Sequence, residues 1–243
     1  MQDVIISHHN RNLSANLLLP SRQARTAVVF SHGFNGSKAD FLPEAELCRK
    51  AGCAALCIDF SGGSVREPRG YPTSAMTLGT EKEDLHAAAD FALRTSGAER
   101  VFLFGGSQGG FISALVAEER RDVCAMMLLY PALCIPDDWR RTFPDGKYPE
   151  TYTLWGMTLG RDFFADACAR DVFSQIGRFS GPVRIVHGTR DRIVPIDYSR
   201  RAAARYPNAR LTELAGEDHG FSPAGGIAVR RVLEDMLRDE NLI

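Results

Sequence analysis

The residues that decide the fold are Val101-Phe102-Leu103-Phe104-Gly105-Gly106-Ser107-Gln108-Gly109-Gly110-Phe111. Four apolar residues in a row, glycines around one serine, and then helical spacing read as strand, sharp turn and helix. Gly105-x-Ser107-x-Gly109 fits the Gly-x-Ser-x-Gly pattern, in the strand-to-helix context that makes a serine an exposed nucleophile. The turn lifts Oγ above the sheet, and a Cβ two residues to either side would collide with neighbouring strand or helix. The helix that follows offers free N–H groups and the positive end of its dipole to a developing oxyanion. Taken alone, the pattern equally suits a glycine-rich turn with a spectator serine.

Working outward, similar apolar runs recur. Thr26–Ser31 ends at His32-Gly33, Ala54–Ile58 ends at Asp59, 125–130 ends at Pro131, and 183–186 ends at His187-Gly188, with a weaker run at 211–214. Continuous rather than alternating apolar strands imply burial on both faces, as in a mostly parallel sheet covered by helices. Helical spacing is expected over 80–94, 110–121, 198–205 and 226–238. The first of these opens with Thr80-Glu81-Lys82-Glu83, which reads as a capping box. Segments 4–6 and 13–19 predict an antiparallel hairpin at the N-terminus. The expected fold class is therefore α/β, with a central sheet flanked by helices.

About fifty residues separate the run ending at Tyr130 from the one beginning at Val183, more than one crossover needs. Nine of the 22 aromatics fall in residues 130–173, both tryptophans among them, where an even spread would put four. This stretch reads as an inserted cap over the strand ends, with a larger helical crossover as the plainer alternative. The expected division is a core of 1–131 and 171–243 with a cap at 132–170.

Composition bounds the partners. The chain has 243 residues, 44% apolar and 24% charged, a globular balance. Its 29 basic residues (25 Arg, 4 Lys) and 30 acidic ones leave a net charge of −1. That gives no support to nucleic-acid or membrane-surface binding, which needs a basic excess. No apolar run reaches the ~18–20 residues of a membrane helix, and Met1-Gln2-Asp3-Val4 opens no signal peptide. Cys48, Cys53, Cys57, Cys124, Cys134 and Cys168 form no Cys-x-x-Cys pair and read as reduced thiols of a cytoplasmic protein. Neither metal-ligand spacing nor a phosphate loop is present, so no metal and no cofactor is expected. The expected partner is a small-molecule substrate, with a homodimer compatible.

A nucleophilic serine needs a base, and the base needs an orienting acid. Gly188-Thr189-Arg190-Asp191 follows one strand, and Glu217-Asp218-His219-Gly220-Phe221 follows the next. Loops at the C-terminal ends of strands are where α/β sheets build sites. Ser107, Asp191 and His219 are thus the candidate triad. Asp137-Asp138 is the rival acid, and Asp218 is too close to His219 in sequence to face its ring. His8 and His9 read as solvated, His86 as a surface or packing residue, and His32 and His187 as loop braces. Asp59, Glu217, Glu81 and Glu83 read as structural.

Over nearly its whole length the chain resembles the α/β-hydrolase superfamily. More narrowly it is similar to small bacterial carboxylesterases related to cinnamoyl (feruloyl) esterases. His32-Gly33-Phe34, Asp59-Phe60-Ser61-Gly62-Gly63-Ser64, Gly105-Gly106-Ser107-Gln108-Gly109-Gly110, Gly188-Thr189-Arg190-Asp191 with Val194-Pro195, and His219-Gly220-Phe221 carry the likeness. The order Ser107, Asp191, His219 matches that superfamily. The resemblance implies the same triad, with the Phe34 and Gln108 backbone N–H groups as the oxyanion hole. It departs where Gly106 replaces the histidine usual at the elbow, and where Gly62-Gly63-Ser64 stands for Gly-His-Gly-x-Ser. A serine carboxylesterase acting on small acyl or aryl esters, cinnamoyl or feruloyl esters among them, is the implied function. An acyl-peptide or prolyl-oligopeptidase-like peptidase and a catalytically silent binding protein are the alternatives. Trp139, Tyr152, Trp155 and Phe164 are candidate pocket walls, each equally suited to packing within the cap.

Overall fold

The continuous apolar runs become buried strands of one sheet. The computed structural model describes residues 1–66 and 70–243. In chain order the strands are β1 (Gln2–His8), β2 (Arg11–Leu18), β3 (Thr26–Ser31), β4 (Ala54–Ile58), β5 (Arg100–Gly106), β6 (Val123–Leu129), β7 (Thr151–Leu154), β8 (Met157–Gly160), β9 (Val183–Gly188) and β10 (Ala209–Leu214). The helices are α1 (Leu42–Ala51), α2 (Leu78–Ser96), α3 (Gln108–Glu119), α4 (Ile135–Thr142), α5 (Arg161–Ala169), α6 (Val172–Gln175), α7 (Asp197–Arg205) and α8 (Pro223–Asp239).

Eight strands form the main sheet in the order β1-β2-β4-β3-β5-β6-β9-β10. The β1-β2 and β2-β4 pairs are antiparallel and the others parallel. This is the α/β architecture expected. Every residue of β3 is buried, whereas β10, at the edge, is half exposed. Leu85 and Ala88 of α2 and Phe111 and Leu115 of α3 cover one face; Ala45 and Cys48 of α1 and Leu233 and Met236 of α8 cover the other. The chain steps from β3 to β4 on one side and returns to β5 on the other. That reversal opens a crevice where the β3 and β5 carboxyl ends meet, the usual place for a site in such sheets.

Three local readings need correction. Helix α1 is absent from the sequence expectations because Leu-Pro-Glu-Ala-Glu-Leu-Cys-Arg-Lys-Ala offers no broad apolar stripe; its inward Glu44 is instead paired with Arg230 at 3.1 Å. Helix α2 begins at Leu78, not Thr80. Its capping box is Thr77 with Thr80, the Thr80 N–H donating to Thr77 Oγ1 at 3.0 Å and the Thr77 N–H to Thr80 Oγ1 at 2.9 Å. Glu83, free of that duty, accepts from Arg11 at 2.6 Å. His8 is not simply solvated, since its Nε2 lies 2.7 Å from Oδ1 of the fully buried Asp84. Arg11 and the Ser61 N–H donate to the same carboxylate, which ties the N-terminal hairpin to α2 and the β4 loop.

Between β6 and β9 the chain folds as α4, the antiparallel β7-β8 hairpin, α5 and α6. Trp139, Phe143, Tyr148, Tyr152, Phe163 and Phe164 make a connected set of ring contacts there. The hairpin turn is Trp155-Gly156, both at positive φ, +48° and +80°. Among the described residues no helix is long and apolar enough to cross a membrane.

Candidate active site

Ser107 closes β5 and caps α3 at φ +52°, ψ −119°, a conformation that costs a non-glycine residue of order 1–3 kcal/mol. Its surroundings impose that backbone. The Ser107 N–H donates to the Leu129 carbonyl at 2.9 Å, and the Ser107 carbonyl accepts from Phe111 (3.0 Å) and Ala132 (2.9 Å). The flanking glycines are sterically required. A Cβ on Gly105 would stand 2.4 Å from the Gly109 carbonyl oxygen, and one on Gly109 would stand 2.3 Å from the Ser31 carbonyl oxygen. A Cβ on Gly106 would meet the Phe41 ring at 2.6 Å, so α1's leading aromatic fills the space beside the elbow.

The loops after β5, β9 and β10 bring Ser107, Asp191 and His219 together. Ser107 Oγ lies 3.1 Å from His219 Nε2, and His219 Nδ1 lies 2.8 Å from Asp191 Oδ2. An ionised carboxylate only accepts, so Nδ1 carries the proton and Nε2 turns its lone pair to the serine. Asp191 Oδ1 accepts from the Ile193 N–H at 2.9 Å and the Val194 N–H at 2.8 Å. Burial works against its charge, but bonds from His187, His219 and Val194 outweigh that and hold the carboxyl well below the usual range. The Tyr130 ring packs 4.4 Å from the His219 ring, tilted by 54° to it.

The rival acids stand elsewhere. Asp137 accepts from Tyr198 at 2.7 Å and from Arg140, and Asp138 pairs with Arg141. Asp218 braces the loop, accepting from the His219 N–H and from Arg192.

Phe34 follows His32-Gly33 on the loop after β3. His32 Nε2 accepts from the Phe60 N–H at 3.0 Å, so Nδ1 bears the proton and donates to the Gly33 carbonyl at 2.7 Å. Burial pushes this histidine's pKa down, in keeping with a neutral ring. The Gly36 N–H grips the same carbonyl at 2.9 Å. A trans peptide points its C=O and N–H in opposite directions. Fixing the Gly33 carbonyl therefore aims the Phe34 N–H away from both donors. A Cβ on Gly33 would lie 2.9 Å from Ser107 Cβ, so this loop abuts the serine. Gln108, first residue of α3, has an N–H that no helical carbonyl can take. Its side chain is pinned below, Nε2 donating to Glu81 Oε2 at 2.8 Å. Burial pushes the Glu81 carboxyl up to about 8.

Two clefts meet at Ser107, and Phe34 and Trp155 line both. The first, about 510 Å³, carries His219, Tyr130, Asp40, Arg66 and Arg230. The second, about 350 Å³, is walled mostly by Trp139, Phe163, Ile135, Ile193 and Val194, with Asp138 and Arg192 also on its lining. Of the four sequence-derived wall candidates, Trp139 and Trp155 reach a cleft. Tyr152 and Phe164 line neither; they pack within the aromatic cluster, and Phe163 stands in the second cleft instead. Phe163 and Phe164 are successive residues of α5, about 100° apart around its axis, and sequence spacing did not resolve that helix. Sequence reasoning also missed Tyr130, whose position at the end of β6 was its only signal, and the contact of His187 with Asp191. Among the described residues no group of three or more His, Cys, Asp or Glu side chains could hold a metal ion.

Residues 26–154 match the family model described as alpha/beta hydrolase fold. No curated protein matches the chain in sequence. Solved structures do match. Est1E from Butyrivibrio proteoclasticus superposes with a TM-score of 0.88 at 23% identity over 99% of each chain. The same protein with ferulic acid bound gives 0.91 at 23%, over 99% of this chain and all of that one. A monoacylglycerol lipase from Paleococcus ferrophilus gives 0.72 at 19%, over 94% of this chain and 99% of that one.

Proposed function

This chain belongs to the alpha/beta hydrolase fold family, and we propose that it is a serine carboxylesterase acting on small acyl or aryl esters. One observation carries the reading: the unbroken chain of contacts from Ser107 Oγ through His219 to Asp191, at 3.1 and 2.8 Å. His219 Nε2 takes the hydroxyl proton as Oγ attacks the ester carbonyl, and Asp191 stabilises the imidazolium that results. The Phe34 and Gln108 N–H groups receive the tetrahedral oxyanion, each worth about 3 kcal/mol. Collapse of the intermediate expels the alcohol, which takes its proton from His219. Water then attacks the acyl-enzyme with His219 as base, and the acid departs.

Proton delivery requires the leaving oxygen beside His219, so the alcohol occupies the first cleft and the acyl group the second. The aromatic and aliphatic wall of the second cleft favours an aryl or alkyl acyl chain, and the charged residues of the first favour a polar alcohol. Residues 132–170 act as the cap that supplies the acyl wall. The ferulic acid held by Est1E and the lipase identity of another structural neighbour support an ester substrate.

Ser107→Ala should lower hydrolysis of a short p-nitrophenyl ester by 10³-fold or more while leaving the fold intact. Unchanged turnover in that variant would remove the assignment. Faster cleavage of aminoacyl amides than of esters by the wild-type chain would favour a peptidase.

A further inference from the structure

The Asp191 carboxylate has more donors than the orientation of one imidazole requires. Beyond the two backbone N–H groups on Oδ1, its Oδ2 lies 2.8 Å from His219 Nδ1 and 3.1 Å from His187 Nε2. His187 is the last residue but one of β9 and is wholly buried. Its single Nε2–H is hydrogen-bonded to the Val194 carbonyl at 3.0 Å and shared with Asp191 Oδ2 beside it. Both neighbours are acceptors only, so Nε2 must carry hydrogen. On the ring's other side, Nδ1 lies 2.7 Å from Oγ of the equally buried Ser199 on α7. In a neutral ring Ser199 donates to Nδ1, which leaves Nε2 as the protonated nitrogen. Val194 is clasped at both ends, its N–H on Asp191 and its carbonyl on His187, so one ring fixes both the carboxylate and its loop.

We infer that His187 is a positioning residue of this site, its Nε2–H shared between the Val194 carbonyl and Asp191 Oδ2, with Ser199 setting its tautomer. The inference rests on the triad reading above. A second donor draws charge from Oδ2, so Asp191 stabilises the His219 imidazolium less than a carboxylate with one partner would. It also prevents the carboxylate from rotating out of the imidazole plane. The other titratable or charged groups near the pair are His219, Tyr130 at the end of β6, and Glu213, which is in register with His187 on β10 and held by Arg200. All of them stay in place in the variants below.

The test measures the rate at which a fluorophosphonate labels Ser107 between about pH 5 and pH 9, a readout that needs only nucleophile and base. His187→Leu keeps an apolar filling without the donor. It should slow labelling about 10- to 100-fold and move the acid limb up by about 0.5–1 pH unit. His187→Gln, whose amide N–H reaches the same oxygen, should restore most of both. Ser199→Ala should move the limb in the same direction by a smaller amount. Wild-type rates and an unmoved limb in His187→Leu, or no advantage of His187→Gln over His187→Leu, would overturn the inference. Should His187→Leu fail to fold, the Gln and Ser199 variants decide alone: a limb unmoved in Ser199→Ala together with slow labelling in His187→Gln overturns it. A wild-type chain that the probe does not label, or equal labelling of Ser107→Ala, removes the triad reading and the inference with it. Brisk labelling that is indifferent to position 187 removes the inference alone.

Discussion

A carboxylate buried beside two imidazoles keeps its charge only if its lone pairs are engaged, and Asp191 meets that condition with three hydrogen-bond donors and a share of the His187 Nε2–H. Asparagine there would turn its amide oxygen to the Ile193 and Val194 N–H groups and its NH₂ to the two histidines. His219 would then accept at Nδ1 and present a protonated Nε2 to Ser107, the wrong tautomer for a base. Asp191→Asn should lower kcat by about 10³- to 10⁴-fold with little change in KM. Steady-state kinetics on a p-nitrophenyl ester would check this, and a loss below tenfold would contradict it. At this scale much of the site was legible. Ser107, Asp191 and His219 could be named because each follows an apolar run and bears the right functional group. What escaped was contact between residues close in sequence: His187 and Asp191 are four apart, and nothing in the spacing says that a strand's last side chain turns back on the loop that follows.

Elements were readable where burial is two-sided. β3 and β4 are uniformly buried, and their limits coincide with the runs in the sequence. The helices α2, α3, α7 and α8 were also legible from their spacing, but the polar α1 was not, because it hides charged Glu44 by pairing it rather than by avoiding it. The β7-β8 hairpin was missed because its turn is Trp155-Gly156, where Asn-Gly would have signalled it. A bulky residue at φ +48° is strained, and this one is 62% exposed with its ring 5.9 Å from Phe34 above the meeting point of the clefts. Replacing it with asparagine, which suits that turn, should separate the two demands. Trp155→Asn is expected to raise Tm by about 1–3 °C and to lower kcat/KM for aryl esters roughly 3- to 10-fold. Calorimetry and a comparison of aryl with acetyl esters would test each half, and a destabilised variant would refute the strain argument.

Over the whole molecule, one buried acid gives stability a pH dependence. Glu81 moves from about 4.5 in the open chain to about 8 when folded, driven first by burial. Between those values the folded chain retains a proton that the unfolded chain has released. Glu81's contribution is therefore complete below pH 4.5 and declines as pH rises toward 8. Glu81→Gln can still accept from Gln108, and it should flatten this slope. Its Tm should match the wild type near pH 4 and exceed it by roughly 4–8 °C at pH 8; equal melting at both would refute the burial argument. The sequence carried no sign of this, since Glu81 looks like any acid in a helix's first turn until α3 is laid against it. A last consequence concerns time. Ser107 and His219 stand 112 positions apart and meet at 3.1 Å, with β6, β9 and β10 between the loops that carry them. Long-range strand pairings form slowly. On the proposed esterase reading, Ser107 is thus an ordinary alcohol on a tight turn during synthesis and folding, and should become reactive only when the far edge of the sheet has docked. On that reading, onset of probe labelling should coincide with completion of the fold.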